Sequence, residues 1–164
     1  MPFTKRATLA VAAQLLCAFS GIAFAGPIQA GLIEELHQWI DTTTDIPAAD
    51  TPAAIVFIDA QDVPDPSEMA TQIGSIPRGF YDPESGTITL IRPWSAENPQ
   101  DVAVLLHELV HHRQGGKNYY CEAAKEHAAY RAQRDWLAAR DVRLDVNWIA
   151  VILASSCTAR DIHP

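Results

Sequence analysis

The chain has 164 residues, about one domain's worth, of which 48% are apolar, 20% charged and 8% aromatic. That balance can bury a core, which excludes wholesale disorder, a collagen-like repeat and a multi-spanning membrane protein. Twelve basic against twenty acidic residues give a net charge of −8 with no basic block, which argues against a phosphate-neutralising surface, so no nucleic-acid partner is expected.

At the N-terminus, Lys5 and Arg6 precede an uncharged apolar run from Leu9 to Phe24, and Ala23-Phe24-Ala25 supplies small residues at alternating positions. This is the layout of a secretory signal peptide spanning residues 1–25, with cleavage expected after Ala25. The run is short for a membrane span, which wants about 20 residues, so no stable membrane insertion is expected after cleavage. The expected mature chain, residues 26–164, is a single domain exported to a periplasmic or extracellular, oxidising compartment.

Leu32, Ile33, Leu36, Trp39 and Ile40 make one helical stripe, predicting an amphipathic packing helix from about Ala30 to Asp41, with His37 off the stripe. Ala54 to Ile58 is a short β-branched run and reads as a buried strand. Asp62 to Pro77 reads as loop, with one turn of helix around Glu68–Gln72. Gly79-Phe80-Tyr81 and Thr87 to Ile91 flank Asp82-Pro83-Glu84-Ser85-Gly86, the composition of a hairpin with a five-residue loop. Asn98 can cap a helix, Pro99 fits its first position, and Gly115-Gly116 should stop it after Gln114. A second helix is expected from about Tyr119 to Arg140, and a third, strongly apolar and expected to be buried, from Val146 to Ser155. Strands first and helices afterwards predict an α+β domain: a small, mostly antiparallel sheet of about three strands packed on the three helices.

His107-Glu108-Leu109-Val110-His111 is an HExxH motif in the middle of the Asn98-capped helix. Histidines at i and i+4 lie on one helical face, one turn apart, so both imidazoles can reach one metal ion. Glu108 projects about 100° round from His107, wrong for a ligand but right for a general base acting on a metal-activated water. Val102, Leu105, Leu106 and Leu109 form the opposite, core-facing stripe, and His112 flanks the metal face.

A catalytic zinc usually takes three protein ligands, so a third is required. Candidates on the next helix are Glu126, Glu122, His127 and Cys121. Glu122, Glu126, Tyr130, Gln133 and Leu137 share one face, and Ala129, one turn after Glu126, lets two helix backbones approach closely. Glu126 is therefore the favoured third ligand. Tyr130 shares that face and is the first choice for a donor to a developing oxyanion, ahead of Tyr119, Tyr120 and Arg131. In an oxidising compartment, Cys121 and Cys157 would close a disulfide tying the glutamate helix to the C-terminal one. Two free thiols, or Cys121 as a ligand, are the alternatives.

HExxH followed on a second helix by Glu126-His127-Ala128-Ala129 resembles the gluzincin branch of the zincin-type metallopeptidases, and more narrowly the small exported minigluzincins. The likeness covers about Ala54 to Leu137. It implies one zinc ion on His107, His111 and Glu126, with Glu108 as general base, and a peptide or protein as substrate. Metzincins fit less well: Gln114 stands where they need Gly, and Lys117 where they need a third His. The expected activity is zinc-dependent hydrolysis of peptide (amide) bonds. The alternative is a catalytically silent zinc-binding, zincin-like domain acting as a binding or assembly module. An extended substrate could pair with a free strand edge, with Thr87–Ile91 the first choice.

Overall fold

Two apolar faces meet to make the core of this protein: one side of a three-stranded sheet, and the buried stripe of a central helix that carries the HExxH motif. The structure is a computed structural model and describes residues 28, 30–63, 78–115, 119, 121 and 123–157. The expected signal peptide, the expected helical turn around Glu68–Gln72, Lys117, Tyr120 and Glu122 lie outside the described residues. Within them the chain runs α1 (Ala30–Thr43), β1 (Ala54–Ile58), a 3-10 turn (Ala60–Asp62), β2 (Gly79–Asp82), β3 (Thr87–Ile91), α2 (Pro99–Gln114), α3 (Ala124–Ala138) and α4 (Trp148–Ala154). This is an α+β fold with a small three-stranded sheet and four helices.

The strand order is β1-β3-β2. β2 and β3 form the expected antiparallel hairpin, with Asp82 paired to Thr87 and Gly79 to Leu90. The loop is therefore one residue shorter than its composition suggested. Asp82 holds it, its carboxylate accepting from the Glu84 N–H and the Ser85 hydroxyl, while Gly86 takes the left-handed conformation (φ 69°) that such a turn requires. β1 runs parallel to β3, from Ala54 beside Thr87 to Ile58 beside Ile91. The sheet is thus mixed rather than mostly antiparallel. A chain that leaves β1 and returns through the β2–β3 hairpin can lay its first strand on the far side of β3 in either sense, and composition does not choose. β3 is consequently the middle strand. Thr87–Ile91 has no free edge to offer an extended substrate; β1 and β2 are the edges.

α2 lies between the sheet and α3 and touches α1 as well. The Asn98 side chain accepts from the Gln100 N–H at its start, and Pro99 occupies the first turn. Val102, Leu105, Leu106, Leu109 and Val110 are all buried, packed with Ile88 and Leu90 of the sheet, Leu36 and Ile40 of α1, and Ala129, Ala132, Trp136 and Leu137 of α3. β2 presses closely on α2: a Cβ at Gly79 would sit 3.0 Å from Val104 Cγ1. α1 is fastened to α2 by Arg113, whose buried guanidinium ion-pairs with Asp41 and donates to His37 Nδ1 and the His37 carbonyl. His112 is tied through Nε2 to the Thr51 carbonyl oxygen at 2.8 Å and faces the Tyr81 hydroxyl, so it flanks the motif as a structural residue.

α3 begins at Ala124, later than expected, and Cys121 ahead of it is bonded to Cys157, with Cα atoms 5.9 Å apart. The C-terminal helix departs from expectation. Only Val151 of α4 is buried, while Ile149 and Leu153 are about 70% exposed (71% and 69%). Apolar content marked it as a core element, yet only the face that carries Val151 is covered, and Ile149, Ile152 and Leu153 stay exposed. Among the described residues no helix is long and apolar enough to cross a membrane.

Candidate metal centre

Histidines one turn apart on α2 and a glutamate in the first turn of α3 meet at the corner between the two helices. His107 Nε2 and His111 Nε2 are 3.0 Å apart. Glu126 faces both at once, with Oε2 3.4 Å from His107 Nε2 and Oε1 3.4 Å from His111 Nε2. The approach is possible because Ala129, fully buried one turn beyond Glu126, lets α3 lie close to α2.

Of the other expected candidates, Glu122 lies outside the described residues and two are placed away from the cluster. His127 is exposed on α3, and Cys121 is committed to its disulfide. Glu108, immediately beside His107, is buried against the cluster (5% exposed). Tyr130, one turn after Glu126, lays its ring edge-on to His107 with centroids 4.6 Å apart and planes at 73°.

The electrostatics follow from this crowding. Burial works against ionisation of Glu126, but its hydrogen bonds with His107 and His111, and their charge, outweigh that and hold the carboxyl well below the usual range. Its place in the first turn of α3, at the positive end of the helix dipole, acts in the same direction. Burial would lower the His111 pKa, yet the Glu126 hydrogen bond and the charges of Glu108 and Glu126 raise it. Glu108 goes the other way from its neighbour: complete burial pushes its carboxyl up, against the opposing pull of His107 and His111. Burial, reinforced by the negative charges of Glu126 and Glu108, pushes the Tyr130 phenol up to about 12.

Two imidazoles and a carboxylate are donors that a zinc ion accepts. A tetrahedral ion with bonds of about 2.0–2.1 Å holds neighbouring ligand atoms about 3.3 Å apart. The three spacings here bracket that value, and the three donor groups all lie within 4.8 Å of one another. Two ring nitrogens and a carboxylate face one point, and His107 Nδ1, on the other side of its ring, is buried without a hydrogen-bond partner among the described residues.

A residue not anticipated from the sequence stands behind the cluster. Gln114, completely buried at the end of α2, faces His111 Nδ1 with its Oε1 at 3.0 Å. Its position three residues after His111, on the same helical face, was the available signal.

Fold and site together define a small α+β domain whose helical corner gathers two imidazoles and a carboxylate at metal-ligand spacing. Residues 25–164 match the family described as Domain of unknown function (DUF6647), and the chain belongs to that family. Comparison with curated proteins and with solved structures gave no match.

Proposed function

We propose that this protein is an exported zinc-dependent hydrolase of peptide (amide) bonds, of the zincin type, with one ion held by His107, His111 and Glu126. The convergence of those three side chains carries the reading, because it joins an HExxH helix to a carboxylate from a second helix at the spacing zinc requires. When bound, zinc would supply Lewis acidity, acidifying water and polarising a carbonyl at the corner that three protein ligands leave open. The Cys121–Cys157 bond supports export, since structural disulfides persist in oxidising compartments.

The chain's own residues divide the remaining work. Glu108 accepts the proton of the attacking water and passes it to the leaving amine; its burial raises its basicity above that of a solvated carboxylate, which suits a general base near neutral pH. Tyr130 remains a protonated phenol at neutral pH and can donate to the oxygen that becomes negative as the carbonyl carbon turns tetrahedral. Glu126 and the histidines bind and orient. The substrate is a peptide or protein.

Metal analysis of the purified protein and its Glu126→Ala variant tests the ligand set: one zinc per chain is expected in the first and a small fraction of that in the second. Equal zinc in both would remove Glu126 from the site. Glu108→Gln should keep its zinc and lose about 10²–10⁴-fold in turnover of a peptide library. Turnover that survives the change would end the general-base role. A wild-type protein that binds zinc and cleaves nothing would be the silent binding module instead.

A further inference from the structure

We infer that Gln114 is a positioning residue that fixes which nitrogen of His111 faces the metal centre and, with the same side chain, ties the histidine helix to the glutamate helix. The inference rests on the metal-site reading above and adds to it a residue outside the ligand set.

The amide makes two contacts of opposite kind. Its Nε2 donates to the Lys125 carbonyl oxygen at 3.1 Å, and its Oε1 lies 3.0 Å from His111 Nδ1. A carbonyl oxygen can only accept, so the NH₂ end must point to Lys125 and the oxygen end to His111. An amide oxygen also only accepts, so His111 Nδ1 must carry a proton there. Nε2, the atom directed at Glu126 and His107, is then the nitrogen left to offer a lone pair to a cation or, without one, a second proton to the Glu126 carboxylate. Gln114 is completely buried, where an amide costs free energy unless both ends are satisfied. Here both ends are satisfied by parts of the site.

The second contact acts on the other arm. Lys125 immediately precedes Glu126 on α3, so the Gln114–Lys125 bond sets how far the end of α2 stands from the turn that carries the carboxylate. One side chain thus controls a ligand's tautomer and the spacing between two ligands. Among the described residues no comparable group serves His107: its Nδ1 is buried without a partner, and its ring is held by the edge contact with Tyr130. Substitution of Gln114 should therefore disturb His111 and leave the His107 ring in place. Glutamate at this position would keep the acceptor for Nδ1 and lose the donor to Lys125; leucine would lose both.

The test reads the tautomer without any metal. In ¹⁵N-labelled full-length protein stripped by a chelator, at a pH where both rings are neutral, long-range ¹H–¹⁵N correlation shows which His111 nitrogen is protonated. The His111 signal is identified by its loss in His111→Asn. Nδ1–H is expected in the wild type and in Gln114→Glu, and a shift to Nε2–H in Gln114→Leu. Competition with a chromogenic chelator should show Gln114→Leu binding Zn²⁺ about 10–100-fold more weakly. A wild-type His111 protonated on Nε2 would overturn the inference, as would a folded Gln114→Leu with unchanged tautomer and unchanged zinc affinity. Should Gln114→Leu not fold, the wild-type and Gln114→Glu tautomers decide alone. Nδ1–H in a wild type that binds no Zn²⁺ would uphold the clamp and sink the metal-site reading.

Discussion

Tyr130 illustrates how much a single side chain's surroundings decide. Its ring packs edge-on to His107, and burial, reinforced by the Glu126 and Glu108 carboxylates, keeps the phenol protonated. Tyr130→Phe keeps the ring contact and removes only the donor. Zinc content and Tm should stay unchanged while kcat for peptide cleavage falls about 10²–10³-fold, the usual effect of losing one oxyanion donor. An undiminished kcat would leave Tyr130 as packing alone. At this scale the convergent residues were legible: His107 and His111 from their spacing, Glu126 from the small residue one turn beyond it. Gln114 was not, because its meaning depends on a carbonyl at Lys125 that only the folded corner brings within reach. The orphaned Nδ1 of His107 was equally invisible, being defined by what does not surround it.

Among elements, the strands and α2 were the readable parts. β1 and β3 match the β-branched runs to the residue, but β1, read as a buried strand, buries no residue fully and leaves Val56 exposed, because it pairs on one side only among the described residues; α2 begins at its Asn98 cap and ends beside Gly115. Parallel pairing of β1 with β3 was not readable, since alternation and β-propensity are the same for either sense. The exposure of α4 was hidden for a different reason: an apolar segment states what it would gain by burial, not whether a partner is available to cover it. The α1–α2 junction carries a pH dependence. Burial and the Arg113 charge lower the His37 pKa from its ordinary 6.5, outweighing the pull of Asp41 and Glu34, with His112 adding to the lowering. Arg113 donates to His37 Nδ1, so protonation there opposes the contact. The unfolded chain therefore binds the proton more readily than the native one, and stability rises with pH through this window. The contribution is complete above pH 6.5 and is lost as pH falls from there through the lower native value. Asp41, also lowered by its Arg113 hydrogen bond, shifts stability in the same direction at more acidic pH. In thermal melts between pH 7 and pH 5, Tm of the wild type should fall more steeply than that of His37→Asn. Parallel slopes would rule out this group as the cause.

For the whole molecule, the Cys121–Cys157 bond links the approach to α3 with the segment after α4. By the loop-entropy relation such a closure stabilises by about 3–4 kcal/mol, so reduction should lower Tm by on the order of 10 °C. Intact mass should rise by two hydrogens on reduction. A reduced protein melting at the same temperature would show that the bond constrains nothing the fold does not already hold. The short α4, with one buried residue, is the element expected to detach first once the bond is open.

The placement of His107, His111 and Glu126 close together along the chain bears on the order of assembly. To build the sheet, Ala54 must find Thr87, whereas His111 need only find Glu126, and Gln114 need only find Lys125. The helical corner closes a loop less than half as long as the parallel strand pair, and each doubling of a loop adds about 0.6 kcal/mol of closure cost. Contacts near in sequence form early, so the two helices can dock while β1 is still searching for its neighbour.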